Sequence, residues 1–544
     1  MKKKILLVSP GTELESIDWI DRYAKNIKHQ PAYVAPLSIA TVAGLTPDRY
    51  DVQLWDEAVQ GPAERNLDAG YDLVGITGYS DHLSRGLIVA DAFRARGIPV
   101  VLGGAGITAA PHKGKDHADA IIVGEAEATW PRFLDDFDAG RVLSIYRAPL
   151  TAEIGDAPPP RWDSIAAIMP DSYKSGSVET SRGCPFDCEF CDVWKKFGRK
   201  MRTKPVPQVL DEIRTLERIG MKRIYLATDN FIGAPKYAKE VLRALAPMNR
   251  QFRYPMSFMA ELTLTLAQDT EMMALLAQAN FTRVLIGLES TNEDSLKETR
   301  KRQNLRGDMI AKCRTIASYG IGITGSLIVG FDNDGIGVFD DQAKFIQEAL
   351  IPIPRLNILR ALDGTDLYDR LGADGRLIDM DKTYSREELR SLTLPTNLLF
   401  NKMRRSELYE GFLALQEQVW NWRNFEPRTI GFIDNFTNLP DRGADDRLDR
   451  VVPQLQATMR QLPEADAGAI DRILSHVRAK APAYVWEIAA ETMIQAYHAA
   501  QMPNMRKMLT RQVAIERRLE ANGGYVPLEI EPVVAESIAV PVLA

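Results

Sequence analysis

An alternation of short apolar runs and helical stretches constrains this chain more than any other feature. Apolar runs at residues 5–8, 51–55, 72–77, 100–104 and 120–124 are separated by helical segments such as 87–96. Parallel strands are joined only through a crossover, so this alternation predicts an open parallel α/β sheet over residues 1–150. A second series follows at 177–180, 223–227, 254–258, 283–287, 322–329 and 355–360. Six β/α units predict a full or partial barrel over residues 177–371, with its site residues at the strands' carboxyl ends. Residues 151–176 read as a linker, because Pro158, Pro159 and Pro160 suit neither a helix nor a central strand. Residues 372–544 read as mainly helical. There Ser385 and Glu388 have capping-box spacing, and Leu408, Phe412, Leu415 and Val419 form a core-like stripe. Residues 523–544 read as extended.

In an open parallel sheet, ligands bind outside the carboxyl ends of the strands. The loops there hold Ser9 and Pro10; Gly78, Tyr79 and Ser80; Gly103 and Gly104; and Gly124 and Glu125. Their glycines either let a backbone approach a bulky ligand or make tight turns. Composition narrows the classes. Apolar residues are 45% and charged residues 26%, ordinary for a globular chain. Lys plus Arg number 67 against 73 Asp plus Glu, a net charge of -6, which argues against a general nucleic-acid binder. No apolar run reaches the length of a membrane span. The basic start is followed by too short an apolar core for a signal peptide, so a first β-strand and a cytoplasmic home are expected.

Only four cysteines occur, and Cys184, Cys188 and Cys191 are spaced C-x3-C-x2-C directly after an expected strand. A disulfide scaffold would spread its cysteines, whereas a clustered trio in a large chain reads as a metal site. Three thiolates can hold three irons of a [4Fe-4S] cube and leave the fourth iron open. Structural zinc wants four closed ligands, and no nearby Cys or His supplies a fourth. Cys313 falls in an expected helix and reads as a packing residue. The run from Lys195 to Lys204, with six basic residues in ten, reads as a solvated face or as an offset to negative charge at the cysteine loop.

This motif after a first barrel strand resembles the signature of the radical S-adenosylmethionine (SAM) enzymes. The preceding domain makes the chain similar to their cobalamin-binding branch, closest to the hopanoid C-2 methylase-like subgroup. The resemblance extends through Asp229 to Gly233, Ile286 to Ser290, Val329 to Asp332 and Gly364 to Tyr368. It covers roughly residues 1–430 and implies three parts. These are a Rossmann-like cobalamin-binding domain, a partial (β/α)6 radical SAM barrel and a mainly helical C-terminal domain.

By that resemblance, Cys184, Cys188 and Cys191 ligate the cluster and its open iron chelates SAM. Phe190, Asp229, Asn230, Glu289 and Gly330 would contact SAM, and the glycine loops named above would hold cobalamin. The implied reaction is C-methylation. A 5′-deoxyadenosyl radical abstracts hydrogen from an unactivated carbon, which then takes methyl from methylcobalamin. The implied partners are a small-molecule substrate and an electron donor such as flavodoxin or ferredoxin. Glu261 is the candidate catalytic residue, and Asn357 and Arg360 are candidate substrate contacts. Arg360 and Asp363 add charge that speaks against a pure hydrocarbon substrate. No D-x-H-x-x-G motif supplies a lower cobalt ligand, so the loop around Tyr79 is expected to cover that face. The alternatives are a non-methylating cyclisation or rearrangement and a non-enzymatic cobalamin or Fe–S sensor.

Overall fold

The computed structural model describes residues 2–11, 32–148, 154–392, 394–441 and 464–529. Strand β1 (Lys3–Ser9) opens the first sheet and β2 (Ala32–Val34) belongs to the second. Strands β3 (Tyr50–Asp56), β4 (Leu73–Thr77), β5 (Val100–Gly103), β6 (Ala120–Val123) and β7 (Ile145–Arg147) complete the first. Its order is β3-β1-β4-β5-β6-β7, and every pairing is parallel. This is a doubly wound sheet whose order reverses between β1 and β4, the place where such sheets bind ligands. The inner strands bury both faces: Ile5, Leu6, Leu7 and Val8 are all inaccessible, as the continuous apolar run requires. The sixth strand, β7, carries only Ile145 and Tyr146 as large apolar residues, and such a short edge strand has almost no periodic signal.

The second sheet begins with β8 (Tyr173–Glu179). A short antiparallel hairpin of β9 (Ser181–Arg182) and β10 (Arg202–Thr203) follows. Then come β11 (Arg223–Ala227), β12 (Ser257–Leu262), β13 (Arg283–Glu289), β14 (Gly322–Val329) and β15 (Ile353–Ile358). The order is β15-β14-β13-β12-β11-β8-β2, again all parallel. It is an open, partial barrel of seven strands rather than six. The extra edge strand, β2, comes from the N-terminal 150 residues, so the two sheets are interlaced. Helices such as Val206–Ile219 and Pro235–Gln251 cover the outer face through apolar stripes including Val209, Ile213 and Leu216.

Two boundaries differ from expectation. The stretch read as a linker is packed: Ile154, Trp162, Ile165 and Met169 are buried, and β8 starts at Tyr173. The prolines only shape its path, and Pro159 O lies 2.5 Å from where a Cβ on Gly44 would stand. The strand expected at 254–258 is Ser257–Leu262. Pro255 cannot donate to a ladder, and Asn249 Oδ1 takes the Met256 N–H at 2.8 Å, so pairing starts later.

The C-terminal helices Arg405–Val419, Trp422–Asp434, Glu464–Lys480 and Val485–Asn522 pack on the barrel and on one another. The Ser385 capping box forms, and Leu408, Phe412, Leu415 and Val419 are core. The expected extended tail falls mostly outside the described residues. No described helix is long and apolar enough to cross a membrane.

Candidate active site

The cysteine loop is held at its base by the β9–β10 hairpin. Gly183 adopts φ +98 there, and a Cβ would lie 2.7 Å from Lys200 O, so only glycine fits. Its N–H donates to Asp229 Oδ2 at 2.7 Å. Cys184 N donates to Gly198 O at 3.2 Å, and Trp194 Nε1 to Cys188 O at 3.1 Å. Cys188 is buried, while Cys184 and Cys191 are partly exposed. Burial pushes the Cys184 and Cys191 thiols above their ordinary pKa, and Lys301 acts in the opposite sense on both. Among the described residues, no three His, Cys, Asp or Glu side chains converge on one ion.

Lys301 is missing from the sequence-based set. Its Nζ lies 2.7 Å from Glu289 Oε1, and both are buried. Burial opposes charge on Lys301, but Glu289 and Cys188 together hold its ammonium pKa above the ordinary value. Glu289 sits at φ +64, beside a register shift in the β13–β14 ladder. A non-glycine residue in the left-handed region is strained and is found chiefly where function demands it. The bulge turns the Glu289 carboxylate back over Gly287, where a Cβ would lie 2.1 Å from Oε1.

The other residues expected to meet SAM lie on the cysteine loop and just beyond β11 and β14. Burial holds Asp229 up to about 6, with its Gly183 hydrogen bond pulling the other way. Asn230 is buried and its Oδ1 lacks a partner, as befits a polar atom aimed at a ligand. Phe190 packs 6.0 Å from Phe331, with Lys301 Nζ 6.0 Å from its ring. Gly330 adopts φ +106 against Phe400, and its N–H is already taken by Asp334 Oδ2 at 3.0 Å.

The basic run is a solvated face only in part, with Lys195, Arg199 and Lys200 exposed. Lys196, Arg202 and Lys204 are buried, and they pair with Asp192, Glu125 and Glu212. Lys195 pairs with Asp366, and Arg199 donates to Pro185 O at 2.9 Å. The run brackets the cysteine loop. Across that loop, Arg370 Nε donates to Glu189 Oε1 at 2.6 Å and Arg370 Nη1 to Asp332 Oδ2 at 2.7 Å, an ionic brace invisible in local sequence.

The carboxyl edges of the two sheets face each other. Arg360 Nη1, beyond β15, pairs with Asp81 Oδ1, beyond β4, at 3.0 Å. Lys113 pairs with Asp363 at 2.9 Å. Glu125, beyond β6, is gripped by Arg202 at 2.7 Å and by Arg182 at 3.2 Å. Glu125 and Arg360 therefore form the joint between the sheets. The charges of Arg360 and Asp363 are consumed there and no longer speak against a hydrocarbon substrate.

The glycine loops of the first sheet line the facing edge. A Cβ on Gly104 would lie 2.9 Å from Gly78 N, and one on Gly78 would lie 3.7 Å from Pro10 Cγ, so these turns touch. Ser9 and Pro10 lead into Gly11, whose N–H donates to Glu57 Oε2 at 2.8 Å. Gly103 adjoins Ile122, Gly124 N donates to Thr108 Oγ1 at 3.0 Å, and Ser80 begins a short turn of helix.

Tyr79 projects from this edge with 71% of its surface exposed. Enclosure pushes its phenol pKa up, and the Glu261 and Asp229 carboxylates add to that rise, so it points into the cleft between the sheets. Across the cleft, Tyr225 Oη donates to Glu261 Oε1 at 3.0 Å. Glu261 is solvent-exposed yet surrounded by protein, and that enclosure raises its pKa. Strand alternation puts Glu261 on the inner face of β12, and it likewise sets Tyr225 opposite the buried Ile224 and Leu226 of β11. Asn357 Nδ2 instead turns to Ser326 Oγ at 3.2 Å. Trp420 and Trp422 are buried in helical packing, Trp486 packs against the helical core, and Cys313 is core.

The profile of the radical SAM superfamily matches residues 178–346, the span of the cysteine loop and most of the second sheet. The chain carries a radical SAM domain.

It is 34% identical over 351 residues to an uncharacterized methyltransferase of Synechocystis, covering 64% of each chain. It is 29% identical to the hopanoid C-2 methylase of Rhodopseudomonas palustris, over 65% of this chain and 67% of that one. It is 27% identical to the bacteriochlorophyllide d C-12(1)-methyltransferase of Chlorobaculum tepidum, over 77% and 88%. The chain thus spans somewhat less than two thirds of the length of the Synechocystis relative. Among solved structures, the cobalamin-dependent radical SAM enzyme OxsB shares the fold at TM-score 0.58 and 16% identity, covering 96% of this chain and 80% of that one. The radical SAM methyltransferase TsrM of Kitasatospora setae matches at TM-score 0.53 and 16% identity, covering 69% and 78%. The chain shares its α/β fold, with a parallel partial-barrel sheet, with these enzymes.

Proposed function

We propose that the chain is a cobalamin-dependent radical SAM C-methyltransferase acting on an unactivated carbon of a small molecule. The observation that carries this reading is the meeting of the two sheets' carboxyl edges, which sets the cysteine loop and the glycine loops around one cleft. Relatives bearing methylase names support it. The C-x3-C-x2-C trio on one loop fits a cluster with an open iron, and the orphaned Asn230 Oδ1 fits a polar ligand beside it. When bound, the reduced cluster supplies the electron that splits SAM to a 5′-deoxyadenosyl radical, and cobalamin supplies the methyl group.

The protein's task is then to place groups. Cys184, Cys188 and Cys191 hold the iron. Asp229, Asn230 and the Lys301–Glu289 pair orient SAM's polar end, and Phe190 flanks its adenine with the backbone near Gly330. Ser9, Pro10, Gly78, Ser80, Gly103, Gly104 and Gly124 would leave room for a flat, bulky cofactor, and Tyr79 would pack against it. Glu125 supports that loop from the joint rather than touching the cofactor. Glu261 and Tyr225 present a carboxyl and a phenol to substrate at the barrel mouth. Enclosure keeps Glu261 protonated to higher pH than a free carboxylate, so it can donate as well as accept. An external one-electron donor of the flavodoxin or ferredoxin class completes the reading.

The test is anaerobic. The chain is reconstituted with iron, sulfide and hydroxocobalamin and given SAM and reductant, and both SAM products are quantified. S-adenosylhomocysteine together with 5′-deoxyadenosine, both lost in Cys188→Ala, is the expected result. Deoxyadenosine alone would point to a non-methylating reaction. Neither product, from chain with full cluster content, would sink the enzyme assignment.

A further inference from the structure

The segment from Thr299 to Asn304 runs behind the cysteine loop and is fixed at both ends. Thr299 O accepts the Glu189 N–H at 3.0 Å. Asn304 Nδ2 donates to Gly287 O at 3.0 Å and to Leu288 O at 2.9 Å, which ties the turn to β13. Between these anchors Gln303 is 4% exposed and directs Nε2 at Cys188 Sγ, 3.6 Å away. Its Oε1 has no partner.

A buried amide oxygen left without a donor is costly, so its orientation needs a reason. The reverse orientation would set carbonyl lone pairs against the sulfur. The arrangement therefore spends the oxygen to give the sulfur an N–H. A hydrogen bond to a cluster sulfur stabilises the more negative, reduced state and raises the reduction potential.

We propose that Gln303 is a tuning residue, donating a hydrogen bond to the Cys188 thiolate and thereby raising the potential at which the bound iron–sulfur cluster accepts its electron. The inference rests on the cluster reading above. One electron enters the cluster from an external one-electron reductant; Gln303 makes and breaks no covalent bond and moves no proton. Lys301 also lies close to the thiolates, but its charge is shared with Glu289. The neutral Gln303 is thus the cleaner probe, because replacing it changes the sulfur's hydrogen bond without disturbing that ion pair.

The experiment is a redox titration of the full-length, anaerobically reconstituted protein, followed by electron paramagnetic resonance of the reduced cluster, with SAM omitted. Gln303→Leu removes the donor, and Gln303→Glu replaces it with an acceptor of nearly the same shape. At the potential where half the wild-type cluster is reduced, the reduced-to-oxidised ratio should fall about tenfold in Gln303→Leu, ~59 mV for one electron. It should fall further in Gln303→Glu. Wild-type midpoints in both variants, with full iron content, overturn the proposal and leave the cluster reading standing. Loss of iron from both variants also overturns it, because Gln303 would then be structural. A wild-type chain that holds no iron and sulfide removes the cluster reading and the proposal together.

Discussion

Single side chains in this protein carry strain and charge in proportion to what surrounds them. His498 stacks on Trp420 with ring centroids 3.9 Å apart and is 8% exposed. Burial lowers its pKa to about 3, whereas an unfolded histidine titrates near ~6.5. Below the unfolded value the unfolded chain binds more protons than the folded one. The group's contribution to stability is therefore complete above about pH 6.5 and is lost as pH falls toward 3. At pH 5 the loss is about 2 kcal/mol. His498→Phe keeps the stack and removes the slope, so urea unfolding at pH 7 and 5 should show wild type losing roughly 2 kcal/mol more than the variant. At the barrel mouth, Glu261→Gln retains bulk but cannot carry charge. It should keep cluster content and 5′-deoxyadenosine formation while product methylation falls by about 10²-fold, in the range of one positioned acid–base group. Equal methylation by the variant would remove Glu261 from the chemistry. The cysteine trio was legible in sequence because its ligands lie on one short loop. Lys301 and Gln303 were not, because they arrive from another turn and carry no local spacing.

At the scale of elements, most of the strands could be read because parallel, doubly buried strands need continuous apolar runs. Those of β1, β11 and β14 match the structure closely. The failures have physical causes. The short edge strands β2 and β7 bury too little to show a pattern, and Pro255 moved the start of β12. The basic run misled because its partners, Glu125 and Glu212 among them, are supplied by other segments. The long C-terminal helix is fastened by Arg283 to Glu491 at 3.0 Å and by the fully buried pair Arg405 Nε to Glu516 Oε2 at 2.9 Å, with Tyr384 and Tyr525 hydroxyls completing the second site. Removing one partner strands the other charge in a dry interior. Glu516→Ala should cost about 3–5 kcal/mol, read as a lowered denaturation midpoint. A change below about 1 kcal/mol would mean that water or relaxation replaces the carboxylate.

For the whole molecule, the joint between the sheets is the feature that local patterns could not reveal. Its exposed pair, Arg360–Asp81, is worth at most about 1 kcal/mol. The buried network of Glu125 with Arg182 and Arg202 is the stronger coupling. Glu125→Ala removes the carboxylate that Arg202 grips, while Arg182 keeps Glu127 and Glu179, and hydrogen exchange should show lost protection on both sides of the joint, in the β6 loop and in the β9–β10 hairpin. Protection lost on one side alone would deny the coupling. The central claim is that one cleft takes both an iron–sulfur cluster and cobalamin. The direct measurement is iron and cobalt bound per chain after anaerobic reconstitution, in wild type, Cys188→Ala and Tyr79→Ala. The account predicts roughly four irons and about one cobalt in wild type. Cys188→Ala should lose the iron and keep the cobalt, and Tyr79→Ala should keep the iron and bind cobalamin about tenfold more weakly, ~1.4 kcal/mol. A wild-type chain that fills its cluster and retains no cobalt would contradict it.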